Sequence, residues 1–92
     1  MAEDKGYELF KKMAYATFKI RGVFLKTDFY LCGYNKERGE IRINTDHKYV
    51  HKEEWEHVLG AIKSSGLEIA GSTIVAEDDA VHLEFEVSAD GK

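Results

Sequence analysis

The stretch Val50–Leu67, V-H-K-E-E-W-E-H-V-L-G-A-I-K-S-S-G-L, limits the possible folds more than any other part of the chain. Trp55, Val58, Leu59 and Ile62 recur at i, i+3, i+4 and i+7, one face of an α-helix. Glu53, Glu54 and Glu56 crowd its first turn, where the helix dipole favours negative charge. With His51 as N-cap, Val50 and Trp55 stand where a hydrophobic staple would put them. Gly66 can adopt the left-handed conformation that ends a helix. A helix with one apolar stripe must lie on another layer, so the remaining chain has to supply one.

Strand patterns supply it. Val81–Val87 alternates most cleanly, with Val81, Leu83, Phe85 and Val87 inward and His82, Glu84 and Glu86 outward. As the C-terminal strand it reads as a sheet edge. Residues 15–25 also alternate: Ala16, Phe18, Ile20 and Phe24 against Thr17, Lys19 and Arg21, with Gly22 as a bulge or bend. Lys26-Thr27-Asp28 is a polar turn. Phe29–Tyr34 is apolar on both faces, as a central strand would be. A loop, 35–39, leads to Glu40–Thr45, with Ile41 and Ile43 inward and Arg42 and Asn44 outward. Leu67–Ala76 is a further strand, closed by the acidic turn Glu77-Asp78-Asp79. Residues 4–14 predict a short helix with Tyr7, Phe10 and Ala14 on one face and Leu9 and Met13 beside it.

The expected order is α-β-β-β-α-β-β. It describes an α+β fold: an antiparallel sheet of about five strands, one main helix across it and a short N-terminal helix. At 92 residues the chain reads as a single domain, 1–92, with residues 1–3 and 88–92 frayed. No internal repeat is visible.

One cysteine, Cys32, cannot form an internal disulfide, and no apolar run approaches the roughly 20 residues that cross a bilayer. The N-terminus lacks the basic start and apolar stretch of a signal peptide. The expectation is a soluble, cytoplasmic protein without a membrane partner. The net charge of −4 is unevenly spread. Residues 1–48 hold ten Lys/Arg and seven Asp/Glu, or +3; residues 49–92 hold three and ten, or −7.

The candidate chemistry is sparse. His47, His51 and His57 lack the spacing of a zinc motif, and Glu53 and His57 at i, i+4 read as a surface pair. Cys32 sits among apolar neighbours, where a free cysteine behaves as a small hydrophobe. Gly22-Val23-Phe24-Leu25-Lys26 resembles the G-V-F-F-R phosphate loop of acylphosphatases, and Leu31-Cys32-Gly33-Tyr34 is similar to that family's next strand. The resemblance implies a phosphate-binding enzyme. The sequence departs from it at Lys26, which lacks the planar fork of arginine, at Thr27–Tyr30, too short for the family's helix, and at the spacing of Asn35. The α-β-β-β-α order resembles that of double-stranded RNA-binding domains, but where their last helix begins rich in lysine this chain reads K-E-E-W-E. No catalytic constellation, metal pattern or cofactor loop emerges, and the chain reads as a non-enzyme without a cofactor.

Two surfaces remain. Glu77, Asp78, Asp79, His82, Glu84 and Glu86 lie on one hairpin and predict a docking surface for a protein with a basic surface. As charges on an edge strand they would equally serve to block unwanted pairing. Lys19, Arg21, Tyr30, Tyr34 and Arg42 would form a basic, aromatic face if the first three strands were neighbours, the type of surface that holds single-stranded nucleic acid. The leading expectation is a small binding or regulatory protein using the acidic side. The nucleic-acid binder is the alternative, and an acylphosphatase-type enzyme a distant third.

Overall fold

The computed structural model describes residues 5–24 and 28–89. Six elements follow one another: α1 (Lys5–Ile20), β1 (Asp28–Gly33), β2 (Arg38–Asn44), α2 (Lys52–Ser64), β3 (Glu68–Ala76) and β4 (Val81–Ser88). The strands form one antiparallel sheet in the order β1-β2-β4-β3. Helix α1 lies over β1 and β2, and α2 lies beside it and reaches β3. Both helices cover the same face, so the fold has two layers and the opposite face of the sheet is left open.

His51 is the N-cap of α2, and its backbone N–H donates to the Glu54 carboxylate at 2.9 Å. Val50 and Trp55 are both partly buried against the core, as a staple requires. The helix ends where Gly66 takes φ +85° and its N–H reaches the Lys63 carbonyl. The buried stripe is Val58, Ala61 and Ile62, with Trp55 and Leu59 at its margin. Trp55 stacks on Phe85 of β4, ring centroids 5.3 Å apart.

The first helix departs from expectation. Residues 15–20 are not a strand; α1 runs on to Ile20. Leu9, Met13, Ala16 and Ile20, spaced i, i+4, i+7 and i+11, make one buried line, with Thr17 beside it. The alternation of apolar and polar residues at 15–21 is real, but the helical period, which continues the line begun by Leu9 and Met13, prevails. Its consequence is a second, outward stripe. Tyr7, Phe10, Tyr15 and Phe18 stay exposed, Phe18 at 73%, where a strand would have buried Phe18 beside Ile20. After Ile20 a turn closes with the Val23 N–H on the Ile20 carbonyl, and Phe24 returns to the core.

Among the described residues the sheet therefore has four strands rather than about five. β1 is an edge, not the central strand its apolar composition suggested, and Cys32 is exposed rather than buried. β4 is interior, flanked by β2 and β3, not an edge. Its inward residues Val81, Leu83, Phe85 and Val87 are buried as expected, together with Ile41 and Ile43 of β2. Gly39 lets α1 approach β2: a Cβ there would meet the Met13 sulfur at 2.8 Å and the Cys32 carbonyl at 3.0 Å. Ser88 belongs to β4, and the Ala89 N–H donates to the Glu37 carbonyl, so 88–89 are ordered by pairing rather than frayed. Residues 1–3 and 90–92, and the proposed turn residues Lys26 and Thr27, lie outside the described residues.

The topology has an internal regularity that the sequence hides. Each helix is followed by a hairpin with a four-residue connection, 34–37 and 77–80, and β2 and β4 pair in the middle. The domain is two α-β-β units side by side. Among the described residues no helix is long and apolar enough to cross a membrane.

Candidate functional site

The uncovered sheet face is set by strand parity. Residues opposite the buried Ile41, Ile43, Leu83 and Phe85 point to the helices; their neighbours point out. Three cross-strand rows result: Asp28, Asn44, His82 and Val75; Tyr30, Arg42, Glu84 and Thr73; Cys32, Glu40, Glu86 and Gly71. The carboxylates converge on the β2–β4 seam. Glu40, Glu84 and Glu86, with Gly71, Ser72 and Thr73, line a shallow depression of about 300 Å³.

Arg42 is the countercharge on this seam. Its guanidinium lies 3.1 Å from Glu84 and 3.5 Å from Glu40. His82 bridges the seam to the turn, with Nδ1 at 2.7 Å from Glu77 and Nε2 at 3.5 Å from Glu84. Glu86, Asp78 and Asp79 form no ion pair among the described residues. Tyr34, in the β1–β2 loop, has its phenol held above the ordinary value, first by desolvation, then by its hydrogen bond to the Glu40 side chain and by the charges of Glu40, Cys32 and Glu86.

The six acidic-side residues expected from sequence are thus brought together. His82, Glu84 and Glu86 share the open face of β4, and Glu77, Asp78 and Asp79 form the turn that precedes it. Because β4 is interior, its outward charges have no edge to protect. Glu40 joins this set from β2. Its signal was present in the sequence as the outward partner of Arg42 and Asn44 in the alternation of β2.

The basic and aromatic set is divided. Tyr30 and Arg42 are cross-strand partners on the open face, and Tyr34 lies at its end. Lys19 belongs to α1 instead, where its ammonium donates to Ser64 Oγ at 3.0 Å and lies 4.6 Å from the centre of the Tyr15 ring. Arg21 follows that helix and sits over the Phe29 ring on the helix-covered side. His57 pairs not with Glu53 but with the Lys19 carbonyl, 3.3 Å from its Nε2, which ties the two helices together. The segment resembling a phosphate loop ends at Lys26, outside the described residues; Phe24 within it is buried in the core.

Among the described residues no group of three or more His, Cys, Asp or Glu is placed to hold a metal ion. The chain matches no family model, no curated protein and no solved structure.

Proposed function

We propose that the chain is a non-catalytic docking domain whose open, acidic sheet face and adjoining turn receive a basic region of another protein. The observation that carries this reading is the one-sided helix layer. It leaves Glu40, Glu84 and Glu86 on a solvent face whose seam has Arg42 as its main countercharge. Negative charge held on rigid strands steers a cationic partner and speeds encounter. Arg42 partly neutralises Glu84 and Glu40, and the His82 ring contacts Glu77 and Glu84, while Glu86, Asp78 and Asp79 remain available. The alternative, single-stranded nucleic acid, is less well supported. Its cations Lys19 and Arg21 are on the helix side, and Arg42 is already engaged by two carboxylates. The single unpaired cysteine fits a reducing, cytoplasmic setting.

The test compares a fluorescent Lys/Arg-rich peptide with single-stranded DNA and RNA at low and moderate salt. The wild type is expected to bind the peptide, with affinity falling as salt rises. Reversing Asp78, Asp79 and Glu86 to Lys should weaken that binding about tenfold or more, the scale of losing several steering charges. Oligonucleotide binding that disappears in Lys19→Glu/Arg21→Glu, with peptide binding absent, would transfer the function to the alternative.

A further inference from the structure

The acidic side has a second element that charge alone does not describe. β3 is a sheet edge, and from Ile69 to Ala76 it carries no charged residue and no proline. Edges are normally blunted by lysine, proline, bulges or cover. Here a bulge at Ala70 disturbs the start of the strand, and the rest is regular. Thr73, Ile74 and Val75 are β-branched, the composition that favours strand pairing.

The orientation of its backbone follows from the neighbouring ladder. Val81 donates its N–H to the His47 carbonyl at 3.1 Å and accepts from the Thr45 N–H at 2.9 Å, both on the β2 side. The Ala76–Val81 pair is therefore one that exchanges no hydrogen bonds, and by alternation so are Ile74–Leu83 and Ser72–Phe85. Ser72, Ile74 and Ala76 consequently turn their N–H and C=O groups away from β4, towards the free edge. The same three residues point their side chains to the helix side of the sheet, where the helix layer stops short of them. All three are exposed, Ile74 at 50%.

The surroundings select the occupant. Glu68 stands at one end of this neutral run and Glu77, Asp78 and Asp79 at the other, while Thr73 and Gly71 pair with Glu84 and Glu86 on the open face. A second copy pairing antiparallel about a two-fold axis would set Glu68 of each copy against the acidic turn of the other, and like charges directly opposed are unfavourable. From this we infer that β3 takes an extended segment of a partner protein as a fifth strand, with β-branched residues at its centre and lysine or arginine at both ends. This rests on the docking reading above and specifies its partner: Glu68 and the acidic turn at the two ends of β3 attract the basic flanks, and the β3 backbone holds the segment by main-chain hydrogen bonds.

The probe is a synthetic peptide of alternating Thr and Val with Lys-Lys at each end. It is compared with the same peptide N-methylated at alternate backbone amides and with an oligolysine of equal charge. Binding is followed by backbone amide resonances and hydrogen exchange of the full chain. The expected result is binding of the unmodified peptide with slowed exchange at Ser72, Ile74 and Ala76. N-methylation should abolish it, and Ile74→Lys, at an exposed position, should weaken it about tenfold by charging the edge. Equal binding of the peptide, its N-methylated form and oligolysine would overturn the fifth-strand inference and leave the docking reading standing. No binding of any cationic probe would overturn both. A dimer of the free chain that Ile74→Lys dissolves would also overturn the inference, because the occupant would then be a second copy.

Discussion

Substituting Phe18 and Ile20 separately by alanine tests the most consequential assignment in this fold. In a strand over 15–25 the two side chains would point the same way and cost similar amounts to remove. In α1 they are on opposite sides: Ile20 is fully buried, in line with Met13 and Ala16 along the helix stripe, and Phe18 is exposed. Deleting a buried isoleucine side chain costs its transfer free energy plus a cavity term, together about 2–5 kcal/mol. A 92-residue domain has a total stability of about 5–14 kcal/mol, so Ile20→Ala should remove a large fraction of it. At about 4–8 °C per kcal/mol for a domain of this size, Tm should fall by at least about 8 °C. Phe18→Ala removes a side chain already in water and installs a better helix former, so its effect should stay within about 0.5 kcal/mol. Urea titrations followed by circular dichroism and by Trp55 fluorescence give both values. Equal losses, or a larger loss at Phe18, would refute the helix and return these residues to the sheet.

Three further outcomes follow from the packing and the open face. A double-mutant cycle on Trp55→Ala and Phe85→Leu should yield a coupling of about 0.5–1.5 kcal/mol from the stacked rings, and a coupling indistinguishable from zero would contradict the contact. The Tyr34 phenol, with its folded pKa raised, contributes stability that is fully present below the unfolded value near 10 and is lost as pH rises through the folded one. Tyr34→Phe should flatten the alkaline end of the stability profile, and Glu40→Gln should bring the ultraviolet titration of the phenol partway back; no change in either would remove Glu40 as a cause. Cys32 should react with a thiol reagent in the folded protein as readily as in urea, and protection in the native state would place it in the interior after all.

The second helix was legible because several local signals agreed: caps, first-turn acids, apolar spacing and a terminal glycine all pointed to a helix between His51 and Gly66. The inward set of β4 and of β2 was legible from strict alternation. The extent of the first helix is not legible locally, because Ala16, Phe18 and Ile20 satisfy a period of two while Leu9, Met13, Ala16 and Ile20 satisfy a helical one, and only docking on β1 and β2 decides between them. Tyr7, Phe10 and Phe18 add to the ambiguity, since nothing local says that they stay in water. Strand order is absent from local pattern altogether. That β4 is interior depends on pairing between residues about forty positions apart, such as Arg42 with Glu84, and so the meaning of its outward charges could not be read before the sheet was known. The acidic set itself was visible because its residues are neighbours in sequence. The basic set is divided in the structure because its assembly requires three adjacent strands where one is a helix.

The division into two α-β-β units has a thermodynamic consequence. A single connection, residues 45–51, joins them, and what holds one to the other is the β2–β4 ladder, the Arg42–Glu84 pair and the contact between the helices. Each unit presents its central strand to the other as one protein presents an interface to its partner. The stability of the domain is then in part an affinity, measured at the effective concentration that a short tether imposes, on the order of millimolar or above. Because residues 1–48 carry +3 and residues 49–92 carry −7, that affinity has an electrostatic share, and salt should loosen the two halves from each other before it disturbs either hairpin.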